Sequence, residues 1–127
     1  MKKLTVDTNA FLRFILQDIP EQADEVEELF KKAQLKKIEL FVPQIVIFEI
    51  LHALEKYYSF PKNTVIEKLS SVISAKYLMI QNRILLKKAL EIFKQKNLDL
   101  ADCFIFAYSE DKNAELFTFD KALKKLK

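Results

Sequence analysis

The chain has 127 residues, half of them hydrophobic and 31% charged, which fits one compact domain spanning residues 1–127 and is too short for two. It contains no glycine, so neither a dinucleotide fingerprint nor a phosphate loop can bring backbone N–H groups against a phosphate. A single Cys and a single His exclude an internal disulfide and a Cys/His zinc site, and no nucleophile elbow accompanies His52 to build a hydrolase triad.

The first element is "KLTVD", a short β-prone run closing on Asp7 and followed by Thr8 and Asn9. Residues 9–16 then take helical spacing, as do residues 20–34, where Pro20 sits in the first turn. Residues 18–28, "DIPEQADEVEE", hold six acids and no base, which leaves 21 basic against 12 acidic residues elsewhere although the whole chain is only +3. A solvated lysine-rich helix face is the common cause of such a balance; a polyanionic partner is the other.

"ELFVP" at 39–43 reads as a second strand, and Pro43 opens a helix over 43–57 that contains Glu49 on the border of its apolar arc. Pro61 opens another helix over 61–74. "KYLMI" at 76–80 is a third strand, followed by helices over 82–96 and 99–111. "ELFTFD" at 115–120 reads as a fourth strand closing on Asp120, with a short lysine-rich helix after it. Strands alternating with helices specify an α/β fold: a central parallel sheet of four to five strands with helices on both faces. Ligands of such sheets bind at the carboxyl ends of the strands.

The acids near those ends therefore carry the functional question. Asp7 and Asp120 each stand between a strand and a helix, where an Asp usually caps the helix. Asp99 can cap the helix that follows it, with Asp102 in the first turn, or the two can share a ligand across their three-residue spacing. Asp102 runs directly into Cys103, Phe104, Ile105 and Phe106, an expensive place for an unpaired carboxylate. Cys103 itself reads as a small buried hydrophobe. If Asp7, Glu49, Asp102 and Asp120 converge, they repel one another until a divalent cation holds them ionised, and an all-oxygen set suits Mg²⁺ or Mn²⁺.

As a set, "LTVDTNAFLRFIL", Glu49 in "VIFEILHAL", and "LADCFIFAYSEDKNAELFTFDKAL" resemble the PIN-domain nucleases, especially the VapC-type toxins of toxin–antitoxin modules. The resemblance covers nearly the whole chain. It implies a metal-dependent endoribonuclease in which Asp7, Glu49, Asp102 and Asp120 are the acidic metal-site residues, supported by Thr8, Asn9 and Thr118. Asp99 is left as a supporting or substrate-side candidate. The resemblance further implies an RNA substrate, a cognate antitoxin protein and a homodimer. Arg13 and lysines near the sheet edge are the candidates for holding the RNA backbone. Phe104 and Phe106 are bulkier than the residues usual at those places.

Three other readings stand beside this one: a housekeeping RNA-processing nuclease, a phosphohydrolase of the kind whose first strand also ends in Asp, and a catalytically silent binding module. The phosphohydrolases usually carry a second Asp where Asn9 stands, and a silent module has no reason to keep all four acids. No run approaches the ~18 uncharged apolar residues of a membrane span, and "MKKLTVDTNAF" lacks the features of a secretory signal, so no membrane association and a cytoplasmic location are expected.

Overall fold

The computed structural model describes residues 1–126. Its elements in chain order are β1 (Lys2–Thr5), α1 (Thr8–Leu16), α2 (Pro20–Gln34), β2 (Ile38–Val42), α3 (Gln44–Lys56), α4 (Lys62–Ser74), β3 (Leu78–Ile80), α5 (Arg83–Gln95), α6 (Leu100–Asp111) and α7 (Lys121–Lys124). They fall into two compact units, one from Met1 to Gln81 and one from Asn82 onward.

The first unit is an α/β layer structure, a parallel sheet flanked by helices. Its strands lie in the order β1-β2-β3, with Leu4 opposite Leu40 and Leu40 opposite Leu78. Two helices separate each strand from the next, long enough for the return that parallel pairing requires. Alternation along the strands buries Leu40 and Val42 on β2 and Leu78 and Ile80 on β3. In α2 the residues Ala23, Val26, Phe30 and Ala33, three or four apart, form the buried stripe, and Phe30 takes Phe11 and Phe14 of α1 against its ring at 5.7 and 4.9 Å.

Helix starts follow local chemistry only in part. Pro20 occupies the first turn of α2, whereas Pro43 and Pro61 stand at the N-cap positions of α3 and α4, just outside the helices they open. With no glycine available, the left-handed positions fall on Gln17, Lys36, Ser59, Asn82 and Asn113. Asn adopts this conformation at little cost, whereas Lys adopts it against steric strain. At the end of α2 the Lys37 amide donates to the Lys32 carbonyl and the Lys36 amide to that of Ala33, a Schellman closure with Lys36 at the position where glycine is preferred. Lys36→Gly should therefore raise stability by about 0.5–1 kcal/mol, the relieved left-handed strain less the added entropy of the unfolded chain. Urea denaturation at unchanged m-value measures it.

The second unit is built on the packing of α5 against α6. Leu86, Ala89, Leu90 and Phe93 are buried on α5, and Leu100, Cys103, Phe104 and Ala107 on α6. Cys103 is fully buried, as its apolar neighbours require.

The four-to-five-stranded sheet is corrected by the structure: among the described residues the sheet has three strands. Residues 115–120 are irregular, and Phe117 and Phe119 are 85% and 83% exposed, their rings edge to face at 5.4 Å. Leu-Phe-Thr-Phe alternates as a half-buried strand would, but alternation makes a strand only where a ladder partner takes up the backbone groups.

Candidate functional site

Asp7 follows β1 by two residues and caps α1, its Oδ1 accepting from the Ala10 amide at 3.0 Å. That cap leaves Oδ2 uncommitted by the helix. Thr8, the first residue of α1, donates its hydroxyl to Oε1 of Glu49, which α3 presents from across the unit. Asp7, Thr8, Asn9, Arg13 and Glu49 accordingly line one pocket of about 680 Å³, together with His52, Tyr57 and Tyr58. Two of the four candidate acids thus share a pocket.

Arg13 lies in this pocket but is already engaged. Nη1 pairs with Asp18 at 3.2 Å and Nη2 reaches the Tyr58 hydroxyl at 3.5 Å. Its Nε–H is buried and hydrogen-bonds to no protein group, a cost that an apolar side chain here would avoid.

In the second unit Asp99 stands at the N-cap position of α6, yet its side chain makes no capping hydrogen bond. The expectation that it serves as a helix cap is therefore not met. Asp102, one turn on, has its pKa raised by burial first and then by the charges of Asp120 and Asp99. Asp120 caps α7 through Oδ1, which accepts from the Leu123 amide at 3.0 Å, and the Thr118 hydroxyl accepts from the Asp120 amide at 3.1 Å. Thr118 thus holds the backbone of Asp120.

The structure brings the site residues together in two groups: Asp7, Thr8, Asn9 and Glu49 in the first unit, and Asp99, Asp102, Thr118 and Asp120 in the second. Among the described residues, no group of three or more His, Cys, Asp or Glu side chains is gathered as a cage for a metal ion. The oxygen donors are carboxylates, hydroxyls and the Asn9 amide, and the Asp102 pKa is raised by partial burial and by the like charges around it. Such a set fits a hard divalent cation and no soft one.

A family model described as PIN domain matches residues 4–127. The chain belongs to the PIN domain family. Among curated proteins it is similar to a VapC ribonuclease of Aquifex aeolicus (strain VF5), 22% identical over 122 residues that cover 95% of this chain and 90% of that protein. The PIN match runs through both units and takes in all four acids, the carboxylate pair in the first and the crowded acids of the second.

Sequence reasoning missed Tyr57 and Tyr58. The signal available was "EKYYSF", two adjacent aromatics past the end of a helix and short of Pro61. No helix of the described residues is long and apolar enough to cross a membrane.

Proposed function

We propose that this chain is a metal-dependent endoribonuclease, a single PIN domain over residues 1–127 that serves as the toxin of a two-protein toxin–antitoxin module. It acts on RNA in the cytoplasm, as a homodimer, and a cognate antitoxin protein restrains it. The observation that carries the reading is family membership along nearly the full chain together with acids at each of the four places the family resemblance assigns. The ribonuclease named among its relatives supports RNA as the substrate.

Asp7, Glu49, Asp102 and Asp120 would hold Mg²⁺ or Mn²⁺, which supplies the positive charge and the acidified water needed to hydrolyse a phosphodiester at neutral pH. The chain's own groups fix the carboxylates. The Ala10 amide holds one oxygen of Asp7 and the Leu123 amide one oxygen of Asp120, and neither cap engages the second oxygen. Thr8 fixes Glu49 by donating to one of its oxygens, and the Thr118 hydroxyl orients the backbone from which Asp120 projects. Asn9 offers an amide beside Asp7 to the same pocket. Asp99 keeps the local potential negative and so favours cation binding at Asp102. Lysines hold the phosphate backbone through charge, a salt-sensitive contribution, whereas the charge of Arg13 is already met by Asp18.

Attack of water on phosphorus needs no ribose 2′-hydroxyl. The products should therefore carry a 5′-phosphate and a 3′-hydroxyl, which mass spectrometry of a cleaved oligoribonucleotide reads directly. A 2′,3′-cyclic phosphate as the main product would instead mean attack by the RNA's own 2′-oxygen and would end this reading. Co-purification with the product of a neighbouring small gene tests the toxin assignment.

A further inference from the structure

Part of the lining of the Asp7–Glu49 pocket has a composition that the carboxylate chemistry does not use. Tyr57 closes α3 and is 75% exposed, so its ring contributes little to the core. The backbone beneath it is nonetheless held: the amides of Tyr57 and Tyr58 both donate to the Ala53 carbonyl, at 2.9 and 3.2 Å, and Ser59 turns the chain through a left-handed conformation. His52 lies edge to face with Tyr57 at 5.9 Å. The Tyr58 hydroxyl accepts from Arg13 and retains its own proton for donation. Arg13 is locked at Nη1 by Asp18 and keeps a buried, unpartnered Nε–H. A fixed guanidinium plane, two phenols and an imidazole at one end of a pocket form a surface for a flat ring with a polar edge.

An unpaired nucleobase has that chemistry. Glu49 and His52 are three residues apart on α3, on one side of the helix and within a single turn of about 5.4 Å. A phosphodiester held at the carboxylates would then place the base of an adjoining nucleotide at the aromatic wall.

We propose that Tyr57, Tyr58, His52 and Arg13 form a base subsite, which stacks one unpaired nucleobase of the RNA beside the carboxylates and so selects the bond to be cut. The proposal rests on the ribonuclease reading above. Stacking supplies affinity at Tyr57, while the Tyr58 hydroxyl and His52 read the edge of the base.

The test compares wild type with Tyr57→Leu, Tyr57→Trp and Tyr58→Phe. Cleavage sites are mapped on single-stranded RNA of random sequence with Mn²⁺, and stacking is read apart from cleavage by quenching of a 2-aminopurine-substituted oligoribonucleotide in EDTA. Tyr57→Leu should raise KM roughly 5- to 150-fold, the range implied by loss of one base–aromatic stack, with kcat within about twofold. It should also flatten the base preference beside the cut and remove the quenching. Tyr57→Trp should restore all three, and Tyr58→Phe should alter which base is preferred while KM changes less.

An unchanged cleavage map and KM in Tyr57→Leu would overturn the proposal. So would failure of Tyr57→Trp to rescue, or a change of oligomeric state by light scattering in place of the RNA effects, which would make this wall a contact between protein chains. A wild-type protein that cleaves no RNA would refute the nuclease reading first and the subsite with it. An active wild type with an indifferent Tyr57 refutes the subsite alone.

Discussion

Asp102→Asn should abolish RNA cleavage and raise the melting temperature of the metal-free protein. Both effects come from one group. The Asp102 pKa is raised by burial and by the charges of Asp120 and Asp99, so in the folded chain the neutral form is favoured relative to the unfolded one. The stability this contributes is present in full below the ordinary carboxylate pKa of about 3.9 and is lost as pH rises through the raised folded value. At neutral pH the ionised carboxylate is therefore a burden on the metal-free fold, and Asn removes the charge with little change of shape. With Mn²⁺ the order reverses. Saturating metal that binds only the folded wild type adds about 2.7 kcal/mol at one hundred times Kd, a rise of roughly 10 °C for a domain of this size.

The variant should lose most of that rise. Its cleavage rate should fall by more than about 100-fold, because even changing a group that merely orients a metal ligand costs about 10- to 100-fold. Parallel melts with and without Mn²⁺, beside cleavage rates, decide the matter. Should Asp102→Asn keep both its activity and its Mn²⁺-dependent rise, Asp102 is misassigned and Asp99 takes its place.

The helices of this chain are written in its apolar spacing. Ala23, Val26, Phe30 and Ala33 are readable as a stripe from their positions alone, and the same holds for Leu86, Ala89, Leu90 and Phe93, because burial on a helix is set by residues a few positions apart. The first three strands are legible for a similar reason, their alternation being short and bounded by helix signals. Residues 115–120 are different. Their pattern equals that of a strand, but whether Phe117 and Phe119 face a core or solvent depends on a backbone partner that local sequence does not specify.

The candidate site divides along the same line. Asp7 and Asp120 are legible as caps, and both are caps. That Glu49 meets Thr8, 41 residues earlier, follows from packing α1 beside α3, which no local pattern encodes. Asp99 shows the converse, a good capping residue at the N-cap position whose side chain makes no capping hydrogen bond. Tyr57 and Tyr58 escape a local reading because aromatics at helix ends usually belong to a core.

Removal of divalent metal should abolish cleavage altogether, and the pH at which metal binding fails should report on Asp102. EDTA should take activity to background, and Mg²⁺ or Mn²⁺ added in excess should restore it, since no His-based or Cys-based alternative exists in a chain with one exposed His and one buried Cys. Full activity in a metal-stripped sample would defeat the proposed mechanism. Metal and proton compete for the same carboxylates. Because the Asp102 pKa is raised, that competition begins at a higher pH than for an ordinary aspartate, and the apparent Kd for Mn²⁺ should climb as pH falls through this raised value. Asp99→Asn separates the contributions: it removes one of the charges that raise Asp102 and should move the onset of proton competition to lower pH. At neutral pH the same substitution should weaken Mn²⁺ binding modestly, through loss of a nearby negative charge. Isothermal titration with Mn²⁺ across pH for wild type and Asp99→Asn measures both effects. If the two proteins share one pH profile, Asp99 does not act on Asp102 in the working protein, and the raised pKa rests on burial and Asp120.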